Sequence, residues 1–142
     1  MNSDSLLTKQ NISIGLIWLF HVSGVIGIIY GDSLWFVKAT PLNLSLSFIL
    51  IILNSKLNKK VFYLVLACFL TGMLAEIIGV KYGFLFGNYS YGETLGFKVM
   101  EVPLTMGLVW CILTFNTGFI AQYFTDSLLA RIFTGVVLML FL

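Results

Sequence analysis

Apolar residues run along this chain in long blocks, separated by short polar interruptions. A helix needs about 20 residues to cross roughly 30 Å of hydrocarbon. Four blocks reach that length: Ile12 to Tyr30, Leu34 to Asn54, Val61 to Val80 and Glu101 to Ala121. A fifth, Leu128 to Leu142, has 15 residues, or about 22 Å of helix, and the sequence stops there without a polar flank. The pattern predicts an all-α, polytopic membrane helical bundle with four complete transmembrane helices plus a fifth incomplete one. It forms a single transmembrane domain over 1–142 that looks truncated or ends inside the bilayer.

Composition narrows the class. Of 142 residues, 59% are hydrophobic and 10% charged, too little polar surface to cover a soluble globule of this size. A net charge of +2, with no basic stripe, argues against a nucleic-acid partner and leaves the lipid bilayer as the surroundings. Cys68 and Cys111 fall within predicted helices, without a CxxC or a nearby His, so they read as small buried hydrophobes and no metal site is expected. The first block follows Lys9 and lacks a small-x-small cleavage site, which makes it an uncleaved helix.

Charge between the blocks sets an orientation. With alternating spans, Lys9, Lys56, Lys59, Lys60 and Arg131 share one side, and Lys38, Lys81 and Lys98 the other. The excess, concentrated at Lys56 to Lys60, predicts a cytoplasmic membrane protein with its N-terminus inside. Pro41 lacks a backbone donor, so the second block is expected to bend, as a continuous segment from Leu34 in which Asn43 faces the bundle interior. The alternative is a helix that starts there with Thr40 as its cap.

The polar residues then stand out. Glu76 shares a helical face with Phe69, Gly72, Met73 and Gly79, by steps of three and four, and the glycines let a helix or a flat ligand approach. It reads as a bundle-facing functional acid or as an interfacial residue paired with Lys81 or Lys98. Glu101, two residues before Pro103, reads as a first-turn residue favoured by the helix dipole or as a second functional acid across the same loop. Trp110 lies about 180° around the helix from Glu101, outside a shared pocket. His21 is central in the first block, with Trp18 and Gly24 on its face, and suits either a hydrogen bond to a neighbouring helix or proton transfer. Ser23, Gly27 and Gly31, spaced by four, read as helix packing. In the loop, Gly83, Gly87, Asn88 and Gly92 mark turns, and Tyr82, Phe84, Phe86, Tyr89 and Tyr91 form an aromatic set. Glu93 and Asp126 read as solvated loop charges.

Glu76-x-x-Gly79-x-x-x-Gly83-x-x-Phe86-Gly87-x-Tyr89-x-Tyr91, followed by Glu101-Val102-Pro103 and Trp110, resembles the carotenoid-biosynthesis proteins of the CruF type, the carotenoid hydratases of bacteria and haloarchaea. His21 with Gly24, and Thr40-Pro41-x-Asn43-Leu44, are similar to that family's first two helices. The resemblance implies a hydro-lyase that adds water to a terminal double bond of an acyclic carotenoid, an isoprenoid substrate, with no cofactor. It also implies a longer family domain, because family members continue with an acidic segment and further helices.

Hydrating an unactivated alkene needs a proton donor, a stabilised tertiary cation and a positioned water. Burial keeps a carboxylic acid protonated, and a second acid can activate the water. On this reading Glu76, Glu101 and His21 are the catalytic candidates, with Glu76 as proton donor and Glu101 as water-activating group. Gly79, Gly83, Phe86, Gly87, Asn88, Tyr89, Tyr91 and Pro103 are the substrate-binding candidates, the aromatic faces steadying the cation. The alternative is a non-enzymatic bundle, a transporter subunit or a carotenoid- or lipid-binding protein, in which the same polar residues form a pathway.

Overall fold

The computed structural model describes residues 8–83 and 86–141. Phe84 of the aromatic set and Leu142 at the end of the fifth block lie outside the described residues. In order, the elements are α1 (Lys9–Tyr30), α2 (Ser33–Lys38), α3 (Thr40–Asn54), α4 (Lys59–Tyr82), a 3-10 turn (Glu93–Leu95), a small hairpin of β1 (Lys98–Val99) and β2 (Val102–Pro103), α5 (Leu104–Phe124) and α6 (Leu128–Phe141). The protein is all-α apart from that hairpin, and α1, α4 and α5 are the helices long and apolar enough to cross a membrane.

The second block differs from the continuous bent segment expected. It is two helices broken at Ala39. Asp32 caps α2 by accepting from the Trp35 amide at 3.2 Å. The Ala39 amide is shared between the carbonyls of Trp35 and Phe36, which ends that helix. Pro41 then sits in the first turn of α3, where a missing N–H breaks no helical bond. Thr40 makes no capping bond, and Ala39 holds the cap position. At 15 residues α3 is shorter than a full crossing, so three helices among the described residues, rather than the expected four, are long and apolar enough to cross, with α3 and α6 as shorter apolar helices.

The fourth block is also corrected at its start. Glu101 does not open a helix; Met100 and Glu101 form the turn of the hairpin, with Val99 opposite Val102. Helix α5 begins three residues later, with Pro103 at its cap position.

Helix α5 packs against α3, α4 and α6. Val102, Pro103, Cys111 and Thr117 are the largest fully buried side chains among the described residues. Two close approaches lock α4 to α5. A Cβ at Gly107 would stand 2.4 Å from the Phe69 ring, and one at Gly72 would stand 2.4 Å from Cγ of Trp110. Each helix therefore meets a ring of the other where only a hydrogen fits. On the other side, the Asn54 amide donates to the Ser13 hydroxyl at 2.7 Å, tying α3 to α1, and the Phe36 ring lies on Gly27. Outward faces carry exposed Leu70, Leu74 and Ile78 on α4 and Phe119 and Ile120 on α5, as suits contact with lipid.

Candidate functional site

The buried face of α4 consists of Gly72, Met73, Glu76 and Gly79, the three-and-four spacing of one helical stripe. Glu76 is 6% exposed. The chain leaves α4 through Gly83, whose φ of 68° is left-handed and whose amide donates to the Gly79 carbonyl at 2.8 Å. This is a glycine cap, and a side chain there would collide with Asn88, whose Oδ1 lies 2.1 Å from the Cβ position. The turn folds the following segment back over α4. Phe86 and Tyr89 then reach Gly79, where a Cβ would stand 2.6 Å from the Tyr89 hydroxyl and 2.9 Å from the Phe86 ring.

Three side chains converge on the Glu76 carboxylate. Oε2 accepts from the hydroxyls of Tyr89 at 2.8 Å and Tyr91 at 2.7 Å. Oε1 accepts from Nε1 of Trp110 at 2.9 Å. The tyrosine rings meet edge to face, with centroids 5.5 Å apart. Lys98 donates to the Tyr91 carbonyl at 2.8 Å while pairing with Glu93 at 2.7 Å, which fixes the backbone that carries Tyr91. Glu93 and Asp126 are exposed, as expected of loop charges, but each holds an ion pair, with Lys98 and Arg131.

The indole is a donor only, whereas a phenol both donates and accepts. Trp110 therefore holds Oε1 as an acceptor, and a proton carried by Glu76 resides on Oε2, facing the tyrosines. Burial, then the hydrogen bond to Glu76 and its charge, push the Tyr89 hydroxyl up to about 12. The same causes raise Tyr91 further.

The group opens on a cavity of about 500 Å³. Glu76, Phe86, Tyr89, Tyr91 and Trp110 line it together with Met106, Val109 and Leu113 of α5 and Val136, Met139 and Leu140 of α6. Its walls are apolar and aromatic, with one polar focus.

The candidates separate on this geometry. Glu76, Gly79, Phe86, Tyr89 and Tyr91 come together, with Gly83 and Asn88 forming the turn behind them. Gly87 has a left-handed φ of 79° and open space around it. Pro103 is buried on β2. Glu101 is exposed on the hairpin turn and does not line the cavity. Nor does His21, whose Nδ1 lies 2.9 Å from the Ile17 carbonyl of its own helix, not of a neighbouring one. The pairing of Glu76 with Lys81 or Lys98 is corrected too. Lys81 stands 5.4 Å from the centre of the Tyr82 ring, Lys98 is engaged with Glu93, and no ion pair among the described residues includes Glu76.

Trp110 is the residue that sequence reasoning missed. Its position half a turn from Glu101 sets it apart in the sequence, whereas the signal that could have found it is Gly72, one turn before Glu76, where a large ring from another helix can enter.

The family model for carotenoid biosynthesis proteins matches residues 39–142. The chain belongs to that family, a class of proteins that make carotenoids. No curated protein and no solved structure matches it. The matched segment contains the whole Glu76 group and begins after His21 and Gly24.

Proposed function

We propose that this protein is a carotenoid hydratase of the CruF type, adding water across a terminal trisubstituted double bond of an acyclic carotenoid end group. The observation that carries this reading is the buried Glu76 carboxyl, held by three neutral donors and paired with no cation among the described residues, facing an apolar aromatic cavity within the family segment. Hydration needs one transferable proton, a surface that tolerates a tertiary cation, and exclusion of bulk water. This constellation supplies each.

In the acid form, Glu76 carries its proton on Oε2. The alkene π pair takes that proton onto the less substituted carbon, directly or through the hydroxyl of Tyr89 or Tyr91, which passes on its own proton as it accepts Glu76's. The tertiary cation faces the aromatic rings and the new carboxylate. Water forms the C–O bond and returns one proton to Oε2, so alkene and water give a tertiary alcohol and the acid is restored. No cofactor enters the balance. Glu101, exposed on its turn, takes no part in this sequence. The reading also places the protein in the cytoplasmic membrane; an N-terminus inside requires α3 to cross as well, because with α1, α4 and α5 as the spans Lys56 to Lys60 fall on the side opposite Lys9.

The test is Glu76→Gln, expressed beside enzymes that make an acyclic carotenoid. Loss of the hydroxylated product with normal membrane accumulation is the expected result, and undiminished product removes Glu76 from the mechanism.

A further inference from the structure

Helix α3 is short for a crossing by itself, yet its ends lie at the two ends of the long helices. Its start, together with α2, contacts the Glu93–Leu95 turn, on the side where α4 ends and α5 begins. Its finish lies beside the start of α1, where Lys9 donates to the Leu53 carbonyl and Asn54 to the Ser13 hydroxyl. Between those levels, α1 and the α2–α3 pair enclose a second cavity of about 430 Å³, lined by His21, Phe36 and Asn43 among others. Helix α4 sets out from Lys59, five residues after Asn54, and crosses back to the Glu93 side. The α2–α3 pair therefore runs the depth of the bundle as one broken span.

The cations sort accordingly. Lys9, Lys56, Lys59, Lys60 and Arg131 share one end of the bundle, where Asp126 is the single acid among the described residues. At the loop end, Lys38, Lys81 and Lys98 are balanced by Asp32, Glu93 and Glu101. We infer that the cationic end faces the cytoplasm and that its segment 56–60 is a docking surface for the headgroups of anionic phospholipids. The inference does not depend on what Glu76 does.

The five cations differ in what already engages them. Lys9 is held by the Leu53 carbonyl. Arg131 donates to the Thr125 carbonyl at 2.8 Å and pairs with Asp126 at 3.1 Å. Lys56, Lys59 and Lys60 are exposed and have no hydrogen bond or ion pair among the described residues. Two of them open α4, where a cation opposes the helix dipole, so the stability of that helix does not account for them.

The local structure suits a membrane surface. Asn58 accepts from the Val61 amide at 3.0 Å and caps α4, which holds the three amines on one short turn. Leu57 is 65% exposed between them, an apolar side chain for the acyl region beneath a headgroup layer. A phosphatidylglycerol head carries an uncompensated negative charge, whereas the ammonium of phosphatidylcholine offsets its phosphate. Lysines at the cytoplasmic surface favour the former.

The experiment places the full chain in nanodiscs with equal amounts of phosphatidylglycerol and phosphatidylcholine and reads retained lipid by native mass spectrometry. Phosphatidylglycerol should be retained about fivefold over phosphatidylcholine, the attraction of one lysine near an anionic surface. The Lys56→Gln, Lys59→Gln, Lys60→Gln protein should retain both equally, and the Lys38→Gln, Lys81→Gln protein should keep the preference. Loss of preference in both variants, or in neither, overturns the proposal. Sodium phosphate should lower retention no more than sodium chloride of equal ionic strength; a larger effect assigns the surface to a soluble anion and overturns the lipid assignment. Orientation is read in cells, in a Cys68→Ala, Cys111→Ala background, with a membrane-impermeant maleimide. Thr8→Cys and Ser55→Cys should label only after the cells are opened, and Gly92→Cys at once. Labelling of Thr8→Cys and Ser55→Cys from opposite sides, or of both from outside, overturns the broken span or the cytoplasmic placement.

Discussion

The two cavities are nearly equal in volume, about 500 and 430 Å³, and both are apolar spaces with a small polar centre. They differ in how that centre is held. Around Glu76, donors arrive from the loop 13 and 15 residues on and from a helix 34 residues on. Around His21 and Asn43, the described hydrogen bonding is local to one helix or missing. A polar group fixed by long-range partners is oriented before any ligand arrives, as acid catalysis requires. The Asn43 oxygen, buried and unpaired, has no such anchoring and stands as a local cost to the fold.

The largest test of that contrast is activity. In Glu76→Gln, the indole still demands an acceptor, so the amide carbonyl faces Trp110 and the NH2 donates to the tyrosine oxygens. The Trp110 bond survives, the two tyrosine contacts reverse direction, and the transferable proton is gone. Hydroxylated product should fall by about 10²–10⁴-fold, the range for loss of a general acid, with the fold intact by circular dichroism. A protein that keeps its rate would make the Glu76 group purely structural and erase the difference between the two cavities.

Stability should split in opposite directions. Glu76→Leu strands buried donors and should lower stability by about 3 kcal/mol, whereas Asn43→Leu removes an unpaired acceptor and should raise it by about 1 kcal/mol. Thermal unfolding in detergent, without added isoprenoid, reads both. A loss at Asn43 equal to that at Glu76 would mean that Asn43 is already satisfied. At the α4–α5 contact beside the first cavity, Gly72→Ala forces a methyl against the indole of Trp110, expected to destabilise by about 1–3 kcal/mol as overpacking does. Gly15, with nothing within 4 Å of its Cβ position, should accept Ala with a gain of roughly 0.5–1 kcal/mol.

That asymmetry between glycines shows what could be read from the chain. The stripe of Gly72, Met73, Glu76 and Gly79 follows from helical spacing alone, because burial repeats with the helix. The three long helices follow from length and hydropathy. The break at Ala39 was half visible, since Pro41 announces an interruption but does not say whether the chain bends or restarts. The partners of Glu76 were not legible in the same way. Tyr89 and Tyr91 reach it only because Gly83 turns the loop back over α4, and Trp110 only because two glycine-to-ring contacts set the rotation of α5 against α4. Rotation of one helix about another is a property of packing, and no spacing within either helix encodes it.

Smaller effects come from pH. The tyrosine hydroxyl ordinarily ionises near 10.0, and burial beside Glu76 raises Tyr89 to about 12 and Tyr91 further. Their neutral forms are the ones the fold favours. The stabilisation is therefore full below pH 10 and is lost as pH rises towards and past 12. Tyrosinate absorbance should show two late-titrating groups that disappear in the Tyr89→Phe, Tyr91→Phe protein. That double variant should also show a weaker loss of stability between pH 10 and 12.

Glu101 gives the smallest and most pointed test, because the sequence pairs it with Glu76 and the structure sets it apart. It occupies a hairpin turn with φ of 68°, next to Met100 at 50°, and consecutive left-handed residues suit the tight turn joining β1 to β2. Neither residue is glycine, and a left-handed residue with a Cβ is unfavourable by about 1–2 kcal/mol. Glu101→Gly should therefore stabilise the protein by about 1 kcal/mol. Because the side chain is exposed and outside the cavity, Glu101→Gln should leave both stability and hydroxylated product unchanged. If Glu101→Gln instead reduces product as severely as Glu76→Gln, the hairpin must swing its turn over the cavity during reaction. The long-range anchoring that distinguishes the Glu76 site would then extend to a segment that the resting structure holds away from it.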